Sequence, residues 1–482
     1  MNSLARVFTG NPWAAVAVVF GLFLVLLVSL QICVRYTAIA AETSRKLLHT
    51  GTGALTLSFP FLFQETWPVL LLTGAGALLM SGIKFLPVLR AQLGGVANRV
   101  DRVTLGEVYF PLSVALLFWL TQESDALLFV IPVLLLTLAD ATGALIGLRY
   151  GMTRYFGASK SLEGSIAFAV VAFLCVHVPL LLWSSVGRAE CLLTATTLAL
   201  LVMLLEGSSG RGLDNLLIPI GGYFLLHTYL SLDATALLLH LFVTVALVVL
   251  LLAARRRTTL ADDALVASAF LCYVVWAVMG WSWLAAPLAI AVGYRWLSPP
   301  TRDNSHRIHD VSTVLSVCAP AVVWLAFAGA GTGAGTGVDT SAGTGLGIGA
   351  DAGAGARGGV SMLLPYTVVF GAHLAMFGTS RLATQFPDKP LTGLFRRAIV
   401  TSWAIVTVPY VLLTGFALSN LGAALGMMGA IALGTAAFIA VEPDIRDTRL
   451  NTRRWVYQAA AAGLASVVGW GIAAVLSIGV TR

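Results

Sequence analysis

Charge is scarce in this sequence. Only 11% of the 482 residues are Asp, Glu, Lys or Arg, while 58% are hydrophobic. Ordinary soluble domains carry about 25% charged residues. The deficit excludes a soluble globular enzyme and leaves a polytopic membrane protein, whose helices bury against lipid and one another. Cysteine is also scarce, with five residues at 33, 175, 191, 272 and 318. All lie in or beside apolar runs and none has CxxC spacing, which argues against a disulfide framework or a cysteine metal site. A Walker A pattern is absent. Gly157-Ala158-Ser159-Lys160-Ser161 ends in Lys-Ser but lacks the glycine directly before Lys160, so it is no P-loop.

What the sequence has in abundance is apolar runs. The first, about Trp13 to Val34, is longer than a signal peptide's core of roughly 7–15 residues. Although Ala38-Ile39-Ala40 resembles a cleavage site, the run reads as a retained helix with its N-terminus outside. Taking about 20 residues per crossing, the chain predicts sixteen spans in an all-α polytopic bundle. They run 12–34, 47–63, 67–83, 106–120, 125–147, 164–184, 189–205, 213–230, 232–253, 262–279, 281–297, 311–329, 361–379, 397–416, 420–440 and 456–479. Both termini then lie outside. Charge supports this parity. All but four of the 29 Lys and Arg residues fall in segments assigned to the cytoplasm, the exceptions being Arg6, Arg188, Arg357 and Arg482. That is the positive-inside pattern.

Two composition changes suggest domain organisation. Arg255, Arg256 and Arg257 close a first region, 1–257, which holds most of the acidic residues near helix ends; 258–482 is sparser in such residues. Within the second region, 329–359 is nearly all Gly, Ala and Thr, which predicts a flexible outside loop.

The notable polar residues of the first region share one predicted side. Arg45, Lys46 and His49 start the second span. Glu107, Tyr109 and Pro111 open the fourth. Asp140 lies near the inner end of the fifth. Lys160, Ser161 and Glu163 precede the sixth. Glu206 ends the seventh, and Asp214 with Asn215 begins the eighth. Charged groups within a span cost about 2.5–3.5 kcal/mol at mid-membrane, so each needs a partner or a function. The set suits phosphoryl transfer from a nucleotide. Carboxylates can hold Mg²⁺ with phosphate oxygens, cations neutralise the transferring group, and glycines together with the helix start after Glu163 let backbone N–H groups approach phosphate. In this reading Gly157, Ser159, Lys160, Ser161, Gly164 and Ser165, with Arg45, Lys46 and His49, are the nucleotide-binding candidates.

These residues carry a resemblance. RKLLH at 45–49, GEVYFP at 106–111, LADATGALIGLRYG at 138–151, GASKSLEGSIAF at 157–168 and EGSSGRGLDNLLIP at 206–219 resemble the polyprenol kinase family over about residues 40–230. The resemblance implies an integral membrane enzyme that phosphorylates a lipid alcohol at the cytoplasmic face, commonly with CTP and a divalent cation, and with no nucleic acid. It implies catalytic roles for Asp140, Lys160, Glu163 and Asp214. It further implies metal ligation by Asp140, Glu206 and Asp214, and supporting roles for Glu107, Tyr109 and Asn215. Lys160 stands alone where dolichol kinases often show paired lysines, which brings the sequence closer to the phytol kinase pattern. A multi-span transporter and a cytidylyltransferase making a CDP-lipid are the alternatives. In the second region, His306, His309 and Asp310 read as solvated loop residues, with metal binding the rival reading.

Overall fold

The computed structural model describes residues 11–37, 41–86, 106–155, 160–209, 212–254, 258, 260–297, 309–331, 362–416, 418–442, 445 and 452–480. It divides into two compact units, Met1–Ala246 and Leu247–Arg482.

The first unit contains α1 (Pro12–Tyr36), α2 (Ala41–Thr56), a single turn α3 (Phe59–Leu62), α4 (Thr66–Phe85), α5 (Gly106–Thr121) and α6 (Leu127–Tyr150). A two-stranded hairpin, β1 (Arg154–Tyr155) and β2 (Lys160–Ser161), leads to α7 (Leu162–Trp183), α8 (Arg188–Ser208), α9 (Asp214–Tyr229) and α10 (Ala234–Ala254), the last of which runs past the unit's boundary at Ala246. Apolar segments form helices because a helix satisfies its own backbone groups where water is missing. Local signals set the ends. Asn11 caps α1, accepting the N–H groups of Trp13 and Ala14, with Pro12 at the first position.

α7 packs along both α6 and α8, and α9 packs against α5, α6 and α8. The close approach of α6 and α7 rests on glycine. A Cβ on Gly164 would sit 2.7 Å from the carbonyl oxygen of Gly143 and 3.1 Å from the Cα of Gly147. Gly143, Gly147 and Gly151, spaced by four, therefore form a small-residue packing face. Gly164, a phosphate-contact candidate in the sequence, meets the Gly143 and Gly147 turns of the facing helix.

The second unit contains α11 (Asp262–Met279), α12 (Ala285–Leu297), α13 (Val311–Gly331), α14 (Leu363–Gln385), α15 (Leu391–Thr414), α16 (Leu418–Val441) and α17 (Thr452–Val480). Its centre is α14, buried at every residue from Leu363 to Ser380 and packed by α12, α13, α15, α16 and α17. Gly280 and Gly415, at φ +83° and +89°, end α11 and α15 in the left-handed region that favours glycine.

A helix covers each of the sixteen apolar stretches. Among the described residues, eleven are long and apolar enough to cross a membrane, and the protein is an integral membrane protein. α2, α5, α9 and α12 fall below that length, with 16, 16, 16 and 13 residues. The chain ends, the arginines at 255–257, and 332–359 of the Gly/Ala/Thr-rich segment lie outside the described residues.

Candidate active site

The site begins with a break in α6. Its helix winds as an α-helix to Leu134, as a π-helix over Leu135–Ala139, and as an α-helix again from Asp140. Pro132, just upstream, has no N–H to give the ladder. The wider π turn, in which the N–H of Asp140 bonds to the carbonyl of Leu135, shifts the face on which later residues lie. It also changes the bonding of neighbouring carbonyls. Leu136 O lies 3.2 Å from His49 Nε2; a carbonyl only accepts, so the proton in that bond sits on Nε2.

Asp140 is 4% exposed and is met by α2. Lys46, itself 5% exposed, donates through Nζ to Asp140 Oδ2 at 2.6 Å, and His49 Nε2 stands 3.8 Å from the same oxygen. Lys46 and His49 reach one carboxylate because they are three residues apart on one helical face. Gly53, on the next turn, leaves space for Thr137, with which any Cβ there would collide.

A second ion pair lies on β2 and α8. Lys160 Nζ donates to the carboxylate of Glu206, and to the Glu206 carbonyl at 2.5 Å. Burial alone would lower the Lys160 pKa. Glu206 first, then Asp214 and Asp140, outweigh it and hold the amine above the ordinary lysine range. The same coupling shows that these three carboxylates lie within electrostatic reach of Lys160. A third contact joins α9 to α5, where Asn215 Nδ2, buried, donates to Gly106 O at 3.1 Å. A Cβ on Gly106 would press against that amide.

Several expected residues have contacts within the frame. Ser161 Oγ accepts the N–H of Gly164 at 3.2 Å and caps α7, while Gly164 packs on α6. Ser165 is buried beside it. Glu163 accepts the Thr153 N–H at 3.0 Å, tying the hairpin to the start of α7 rather than joining the carboxylates near Lys160. Tyr109 is half-buried on α5, where Phe110 and Pro111, its neighbours, line the cavity described next. Gly157, Ser159 and the side chain of Glu107 lie outside the described residues.

The cavity is what the sequence reading missed. It encloses about 970 Å³ of non-atom space, with the open solvent at its mouth included. Its walls are mainly Phe20, Phe23, Leu72, Met80, Phe110 and Val114. Arg45, His49, Thr52 and Thr56 line it along α2, and Asn215 lies on its wall. The spacing 45-49-52-56 traces one helical face about 16 Å long, at 1.5 Å per residue. That polar stripe was readable in the sequence; the apolar walls were not, because they look like lipid-facing residues.

The donor set does not fit a metal centre of its own. Among the described residues, no three His, Cys, Asp or Glu side chains gather as ligands would. Asp140 and Glu206 each give their carboxylate to a lysine. The expected trio of Asp140, Glu206 and Asp214 is thus not assembled as a metal cage.

No protein-family profile matches the chain, and no solved structure does. Two characterised proteins are similar to part of it. Phytol kinase from Synechocystis is 29% identical over 213 residues, 43% of this chain and 88% of the relative. Dolichol kinase from Saccharomyces cerevisiae is 30% identical over 203 residues, 39% of this chain but only 37% of that protein. Over the two-fifths of its length that these matches cover, the chain is similar to the polyprenol kinases, phytol kinase and dolichol kinase.

Proposed function

We propose that the first unit is a lipid-alcohol kinase that moves the terminal phosphate of CTP to a prenol such as phytol, farnesol, geranylgeraniol or dolichol, at the cytoplasmic face. The observation that carries this reading is the apolar cavity whose wall includes His49, beside the buried Lys46–Asp140 pair. An apolar chain would leave water along Phe20, Phe23 and Met80, gaining about 25 cal/mol per Å² of surface buried. Its hydroxyl would then stop among His49, Arg45 and Asn215, close to Asp140.

In this reading Asp140 takes the hydroxyl proton as the alcohol oxygen bonds to the terminal phosphorus and the bridging bond to the diphosphate breaks. Lys46 holds Asp140 ionised and oriented. Lys160, kept protonated by its carboxylate neighbours, faces the charge spreading over the transferring group. Mg²⁺ carried by the nucleotide would supply further neutralisation of that charge.

The test is incubation of the purified protein with γ-labelled CTP or ATP and a panel of phytol, farnesol, geranylgeraniol, dolichol and diacylglycerol. Label in a prenol with release of CDP is the expected result. Release of pyrophosphate would identify a cytidylyltransferase instead. Solute uptake into liposomes without nucleotide turnover would identify a transporter.

A further inference from the structure

A smaller pocket in the second unit is filled by its own groups. His309, expected in a solvated loop, is ringed there by Tyr294, Phe377 and Trp455 at 5.2, 5.7 and 6.2 Å, and Arg454 donates to Ser380 Oγ at 2.6 Å. His306 lies outside the described residues. The first unit's cavity is different. It follows α2 along its length, and its two ends are built unlike each other.

At one end Arg45, His49, Gly106 and Asn215 line the cavity, beside the Lys46–Asp140 pair. Arg45 and His49 keep part of their surface exposed. At the other end the lining residues are Val19 of α1, Thr56 of α2, Phe59 of α3 and Leu72 of α4, which are only 6%, 4%, 3% and 8% exposed. Beyond them the elements are laced together. The Trp13 ring lies 4.9 Å from the Trp67 ring, joining the start of α1 to the start of α4. Thr66 donates to Gln122 Oε1 at 2.5 Å, and Gln122 Nε2 donates to Gln64 O at 3.2 Å, joining the start of α4 to the end of α5. Phe63 stands edge-on to Phe59 at 5.6 Å. The cavity is therefore blind at this end, with the Phe59 ring in its floor.

The floor sets a length. The winding of α2 carries on into α3, since the Leu57 and Phe61 N–H groups bond to the carbonyls of Gly53 and Ser58. At 1.5 Å per residue, Phe59 lies about 15 Å along the axis from His49 and about 21 Å from Arg45. An isoprene unit adds four bonds of about 1.5 Å, roughly 5 Å when extended. The space between the polar end and the floor thus takes roughly three to four isoprene units. A chain that continues past Phe59 meets closed packing. We propose that Phe59 is the chain-length stop of this cavity and that the acceptor is a short prenol, the size of farnesol or geranylgeraniol, with long polyprenols disfavoured. This inference rests on the kinase reading above and narrows its list of alcohols.

The experiment is steady-state transfer from γ-labelled CTP or ATP by the intact protein in nanodiscs, with geraniol, farnesol, geranylgeraniol, geranylfarnesol and undecaprenol as acceptors. The value of kcat/KM should peak at farnesol or geranylgeraniol and fall about tenfold or more at geranylfarnesol. Phe59→Ala removes the floor and should erase most of that fall. Because it also leaves a void in buried packing, Thr73→Phe is the second variant. Thr73 lines the cavity next to Leu72 and is half-buried, so a larger ring there shortens the space. It should move the fall one isoprene unit earlier. A flat profile from farnesol to undecaprenol would overturn the stop and leave the kinase reading standing. So would a fall that neither folded variant moves, or a Phe59→Ala protein that loses transfer to every alcohol alike. Absence of label in all five alcohols would overturn the kinase reading, and this inference with it.

Discussion

Asp140 and Lys46 illustrate how a buried charge is made tolerable at the scale of single residues. Removing one partner of such a pair leaves the other uncompensated, at a cost of about 3–5 kcal/mol, whereas replacing both by groups of similar shape can be neutral. Asp140→Asn should therefore lose both stability and phosphate transfer. Asp140→Asn combined with Lys46→Met should recover melting temperature and still transfer phosphate about 10²–10⁴-fold more slowly, the range for a lost general base. Recovery of activity with stability would show that Asp140 is structural only. Lys160 gives a pH prediction. Its pKa is raised in the fold, so the charged amine and its pairing with Glu206 are fully present below the ordinary lysine pKa. They are lost only as pH rises through the higher folded value. The alkaline fall of kcat should thus begin above the ordinary lysine range, and Glu206→Gln should move it to lower pH.

At the scale of elements, the α6–α7 crossing positions the reacting groups, since Asp140 lies on α6 and Lys160 directly precedes α7. Gly164→Ala places a methyl against the backbone of Gly143, which cannot yield as a side chain would. Overpacking of this kind costs about 1–3 kcal/mol. A lower melting temperature together with reduced transfer is expected, and an unchanged enzyme would mean that the crossing is looser than described. This crossing also marks the limit of what the sequence tells. Long apolar runs make the helices legible, because a span must be about 20 residues of low polarity. The polar candidates stand out against such a background, which is why Lys46, His49, Asp140, Lys160 and Glu206 were found. Their partners were not, because Lys46 and Asp140 are 94 positions apart. The π turn before Asp140 has no signal in the sequence beyond Pro132. Gly143, Gly147 and Gly164 fit phosphate contact and helix packing equally well until the facing helix is seen.

Across the whole molecule, the two units carry different chemistry. The first unit joins an apolar cavity to one buried and one half-buried lysine–carboxylate pair, and the second surrounds a buried central helix whose end contributes to an arginine pocket. The central claim concerns the first: the cavity holds the alcohol's chain. Gly76 lines that cavity, and a Cβ built on it meets nothing within 4 Å. A large side chain there would fill the space without disturbing the packing. The most direct test is steady-state transfer of labelled phosphate by Gly76→Phe with farnesol or phytol as acceptor. The account predicts that KM for the alcohol rises about tenfold or more, as for the loss of roughly 1.4 kcal/mol of binding, while KM for the nucleotide and the melting temperature stay unchanged. An unchanged KM for the alcohol in the folded variant would contradict it.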